Sequence, residues 1–139
     1  MRWLWIVVAV GVLAMFGDFT YRTFLRPIDP PTEGMRALAS HFHSEGIGGR
    51  LYPVRHGFRH SRVIAAGAFE VENFPLPIGL IECATDAEAS RLSARRPDLP
   101  ESLQPVRNGR LVMDFPGWGD DGGGMAGRLA RAFTSYRRM

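Results

Sequence analysis

An uncharged run from Trp3 to Gly17 opens the chain behind a single arginine, Arg2. A helix that is apolar on every side has to be covered by protein or by lipid. A spanning helix needs about 20 apolar residues, because the hydrocarbon core is roughly 30 Å thick and a helix rises about 1.5 Å per residue. The strict run falls short of that. Trp3 and Trp5 suit one membrane interface, Phe19, Tyr21 and Phe24 suit the other, and Asp18 and Arg22 can snorkel toward water. The expected anchor is therefore residues 1–25. Nothing after residue 18 is apolar enough to enclose such a rod, which argues against a buried core helix.

The same segment carries the parts of an export signal. Met1 to Ala14 offers a short basic start and an apolar core, with Val12 and Ala14 at the positions preceding a cut. Met15-Phe16 would then lead the mature chain, and apolar character runs on through Leu25, so an uncleaved anchor is favoured. Cys83 is the single cysteine and lies far from this segment, which excludes a lipoprotein signal. Counting Arg22, Arg26 and Arg36 against Arg2 leans toward a cytoplasmic C-terminal domain. A very short N-terminal tail ahead of a signal-like core normally stays inside, however. The expected arrangement is a single-pass protein of a bacterial inner membrane with its C-terminal domain exported to the periplasm, or a secreted domain if the segment is cut.

All 17 basic residues are arginine. That excludes a lysine Schiff base and a lysine-bearing phosphate loop. A lone cysteine excludes an intrachain disulfide and a cysteine-based zinc site. The formal charge of +3 and a pI near 9.7 fit an anionic partner, lipid or protein, although codon bias toward arginine has the same effect. Nucleic acid is not expected as a partner, and no cofactor is expected.

Pro27, Pro30 and Pro31 make residues 26–31 an extended, semi-rigid linker. Residues 32–139 then suffice for one domain with one modest core. Thr32 caps a helix ending at Gly46, with Met35, Leu38, Ala39 and Phe42 on one face. Arg50 to Arg55 and Arg62 to Glu72 form a hairpin around a glycine-containing loop, and Ile78 to Ala84 forms a buried strand. Thr85 and Glu88 make a capping box for a helix ending near Arg96, ahead of Pro97. Asn108-Gly109 predicts a turn between strands Leu103–Arg107 and Arg110–Phe115. Met125 to Tyr136 closes the chain as a helix. The order α-β-β-β-α-β-β-α after the anchor predicts an α+β fold, an antiparallel or mixed sheet with helices packed on one face.

Between Glu45 and Glu70 the sequence has no acidic residue, and Arg55, His56, Arg59, His60 and Arg62 cluster at the first hairpin tip. Arginine forks there could grip phosphate or carboxylate groups, and a membrane nearby makes anionic lipid the natural ligand. A solvated hairpin tip on a basic protein is the plainer alternative. His41 and His43 lie two apart on a helix, about 200° around the axis, and cannot share a metal ion; no metal site is expected. Cys83 stands just before the Thr85 helix cap, where a thiolate can be stabilised. Trp118, in the glycine-rich segment from Pro116 to Gly124, could anchor a partner. The main expectation is a membrane-tethered, non-enzymatic binding or assembly module. The alternatives are a small exported enzyme using Cys83 or Glu82 with a histidine, and a soluble secreted domain.

Overall fold

The computed structural model describes residues 2–21, 25, 27–58, 62–72, 74, 77–115 and 124–137. Helix α1 (Arg2–Thr20) contains the apolar run, and none of its residues is buried. Trp3 is 80% exposed and Leu13 71%. Among the described residues it is the one helix long and apolar enough to cross a membrane. A core helix would be mostly covered, so that alternative has no support from the packing.

Helix α2 (Glu33–Ser44) starts where Thr32 Oγ1 accepts the Met35 N–H at 3.1 Å. It ends in a Schellman motif. The Ile47 N–H reaches back to the Phe42 carbonyl at 2.9 Å and the Gly46 N–H to the His43 carbonyl at 3.0 Å, with Gly46 at φ 80°. Met35, Leu38, Ala39 and Phe42 are buried as their spacing predicts.

Five strands follow: β1 (Gly49–Pro53), β2 (Val63–Val71), β3 (Ile78–Cys83), β4 (Val106–Asn108) and β5 (Leu111–Asp114). They form one sheet in the order β1-β2-β3-β5-β4, and every pairing is antiparallel. Helix α3 (Asp86–Leu92) follows β3, and α4 (Met125–Ser135) follows β5. The pleat assigns the faces. Ile78, Leu80, Phe69 and Met113 point to one side, where Met35, Leu38 and Phe42 of α2 and Leu129 and Phe133 of α4 close the main core. The Phe42 and Phe69 rings meet at 5.2 Å.

Helix α3 departs from the expected one-face arrangement. Its Ala89 and Leu92 pack with Cys83, Ile81 and Val112, which stand on the opposite side of the pleat. The helix also stops at Leu92 rather than near Arg96. Residues 93–98 offer no apolar side chain larger than alanine or proline, and Gln104 takes over the backbone there. Its Oε1 accepts the Arg96 N–H at 2.8 Å, and its Nε2 donates to the Arg96 carbonyl at 2.7 Å.

The second hairpin also differs by one residue. Asn108 pairs with Leu111, so the loop is Gly109-Arg110, with Gly109 at φ 60°. Asn108 is held in the ladder because its Nδ2 donates to the Phe133 and Tyr136 carbonyls at 2.8 and 2.6 Å, capping the end of α4.

Strand directions put the β1–β2 loop, the β3–α3 junction and the β4–β5 turn at one end of the sheet. Helix α4 finishes there, at Asn108. Helix α2 runs antiparallel to α4, with His41 beside Ser135 and Glu45 beside Arg128, so α2 begins at this same end.

The Gly49 backbone comes so close to β2 that a Cβ would lie 2.5 Å from the Glu70 carbonyl oxygen and 2.7 Å from the Phe69 ring. Gly49→Ala is expected to cost about 1–3 kcal/mol of stability, read as a lower midpoint in thermal unfolding of the solubilised chain. Asn108→Ala is expected to cost about 1 kcal/mol or more in the same experiment, because the Phe133 and Tyr136 carbonyls lose their donor.

Candidate functional site

Strand β1 stops at Pro53, which has no N–H to give to a ladder. One further bond, from the Val54 N–H to the Ala66 carbonyl at 3.2 Å, holds the chain before it turns into the loop. Of the five basic residues predicted to cluster here, Arg55, His56 and Arg62 are described. Arg59 and His60 lie outside the described residues, as does Trp118.

His56 is not a surface group. Its side chain is only 6% exposed, and its Nε2 lies 3.5 Å from Asp29 Oδ2 of the linker. The Phe58 N–H donates to Nδ1 at 3.2 Å. That bond needs a lone pair on Nδ1, so the neutral ring carries its proton on Nε2, the nitrogen facing Asp29. The Phe58 ring packs at 5.7 Å. Arg62 is exposed and stands 3.8 Å from Glu88 of α3. The loop free of carboxylates in sequence thus meets two carboxylates from elsewhere in the fold. Arg55 is exposed beside His56.

The nucleophile candidates fare differently. Cys83 is fully buried, and its thiol pKa is pushed above 9.0, first by burial and then by the nearby Glu88 carboxylate. The helix-terminus effect expected to favour a thiolate is outweighed. Glu82 follows the parity of Ile78 and Leu80 and is 4% exposed. It lines a cleft of about 230 Å³ with Asp86, Asn108, Arg110 and Tyr136.

Two constellations were not visible in the sequence. His41 Nε2 sits 3.1 Å from Ser135 Oγ and 4.0 Å from Glu45 Oε1, a serine, histidine and glutamate brought together by the α2–α4 packing. The protonation is wrong for catalysis. Ser135 Oγ donates to the Ala132 carbonyl at 3.0 Å, so it accepts from Nε2–H. A ring whose facing nitrogen carries the proton cannot activate that hydroxyl, and Glu45 contacts the same nitrogen instead of orienting Nδ1. His43 points elsewhere, its ring 6.4 Å from Phe69. It joins Arg50, Glu70 and Glu72 around an open cleft of about 800 Å³ at the far end of the sheet. Only register could have revealed that site: Arg50 opposes Glu70 across β1 and β2. Among the described residues, no three histidine, cysteine or carboxylate side chains are gathered to hold a metal ion.

No family model, curated protein or solved structure matches the chain.

Asp114 ends β5, and its Oδ1 is buried without a hydrogen-bond partner among the described residues. Burial raises its pKa above the ordinary 3.8, and Arg96 opposes that only in part. A carboxyl whose folded pKa is raised favours the fold while protonated and loses that contribution as pH rises through the folded value. Asp114→Asn should therefore raise the unfolding midpoint at pH 7. The gain should vanish as pH falls below about 3.8, measured by thermal melts across pH.

Proposed function

We propose that this protein is a single-pass, membrane-tethered α+β module that binds or assembles with an anionic partner and has no catalytic role, its domain exported from a bacterial inner membrane. The observation that carries the reading is α1, an apolar helix of 19 residues with none buried, attached to a domain that has a complete core of its own. A helix of that kind gains far more from lipid than from water. The proline linker fits a spacer between anchor and domain.

The β1–β2 loop is the proposed partner surface, through Arg55, Arg59 and Arg62, with His56 and His60 beside them. The exposed side chain of Arg55 supports it, and Arg62 is exposed as well, though Glu88 lies 3.8 Å from it. His56 contributes less than its sequence position implies, because Asp29 already faces it. Trp118 remains a proposed partner contact. The enzymatic alternative, Cys83 or Glu82 acting with a histidine, is weakened by the burial of the thiol and its raised pKa. A secreted domain after signal cleavage is weakened by the apolar residues that continue past Ala14.

The chain should pellet with membranes and stay there through high salt and alkaline carbonate. Recovery in the soluble fraction would contradict the anchor. Iodoacetamide should leave Cys83 unlabelled until the protein is unfolded. Rapid labelling of the native chain would revive the nucleophile reading.

A further inference from the structure

We propose that the end of the sheet carrying the β1–β2 loop rests on the anionic headgroups of the bilayer that holds α1, with Arg107, Arg110 and Arg137 as the cations that grip them. This deepens the membrane-tethered reading and rests on it.

The linker sets the orientation. Roughly nine residues separate Thr20 from Asp29, a span of at most about 30 Å. Asp29 Oδ2 lies 3.5 Å from Nε2 of His56 in the β1–β2 loop, and the His56 side chain is 6% exposed. Thr32, three residues on, caps α2 at the same end of the sheet. The chain therefore leaves the membrane and reaches the domain at that end.

Charge at this end comes from separate segments. Arg107 and Arg110 flank the β4–β5 turn, and both are exposed. Their bonds are to backbone carbonyls: Arg107 Nε donates to Gly109 at 2.9 Å, and Arg110 Nη1 lies 3.4 Å from Ala84. Arg137 is exposed just beyond α4, whose last carbonyls Asn108 ties to the same hairpin. None of the three is ion-paired with a described residue. Of the acids at this end, Glu88 meets Arg91 at 2.8 Å and Arg62 at 3.8 Å, Asp29 faces the His56 ring, and Glu82 is buried. Asp86 and Glu33 remain exposed. The far end is mixed: Glu45, Glu70 and Glu72 are exposed, with exposed Arg50 opposite Glu70 and exposed Arg128 beside Glu45. An anionic surface therefore favours the end whose three arginines have no acidic partner among the described residues.

The test uses the full chain in vesicles of phosphatidylcholine with phosphatidylglycerol, and of phosphatidylcholine alone. Gly57→Cys and Glu72→Cys place a fluorophore at opposite ends. Gly57 has open space around a Cβ, Glu72 is exposed, and the buried Cys83 stays unlabelled. Quenching by headgroup-labelled lipid should be at least about twofold stronger at position 57 than at 72 in the anionic vesicles. The difference should fall by at least about half in phosphatidylcholine alone and in the Arg107→Gln/Arg110→Gln/Arg137→Gln variant. Equal quenching at the two positions, or a difference indifferent to both the lipid and the arginines, would overturn the proposal. Carbonate extraction of the same vesicles reports on the anchor separately. A chain that stays anchored yet shows no preferred end defeats this proposal alone, and an extracted chain defeats both readings.

Discussion

An apolar helix with nothing to cover it dominates the energetics of this chain. Burying one large aliphatic or aromatic side chain is worth about 1.5–3 kcal/mol. Helix α1 exposes Trp3, Leu4, Trp5, Ile6, Val7, Leu13, Met15 and Phe16, among others. Their combined transfer from water outweighs the whole folding stability of a small domain, about 5–15 kcal/mol. Whatever receives α1 therefore decides where the domain sits, and the domain's own packing does not.

That separation explains the division of labour after residue 31. The domain closes its core without α1: two helices cover one face of the sheet, and Phe42, Phe69 and Phe133 fill the space between. The ends of the elements are settled by single polar side chains. Thr32 starts α2, Gln104 holds the loop after α3 at Arg96, and Asn108 closes α4 against the second hairpin. The contact of Asp29 with His56 joins the segment ahead of α2 to this frame.

The parts readable in the sequence are those set by local spacing. The buried face of α2, the buried strand β3 and the helix α4 all follow from neighbours within two turns or one strand. Interactions across the fold were not readable. Nothing near Ala89 says which face of the sheet α3 will cover. Asn108 and Gly109 look like an ordinary turn pair until the α4 carbonyls claim the asparagine. The β1–β2 loop looked unopposed because Asp29 and Glu88 lie well outside it in sequence. Cys83 looked poised for ionisation because the helix cap is local, whereas the burial that outweighs it comes from α3 and β5.

The central claim is that the apolar helix is retained and holds the domain at a membrane. Intact-mass measurement of the chain recovered from membranes tests it most directly. The account predicts a species carrying the whole N-terminal segment, with α1 present in every membrane-bound molecule. A mature species that begins at Met15 and partitions into the aqueous phase would contradict it.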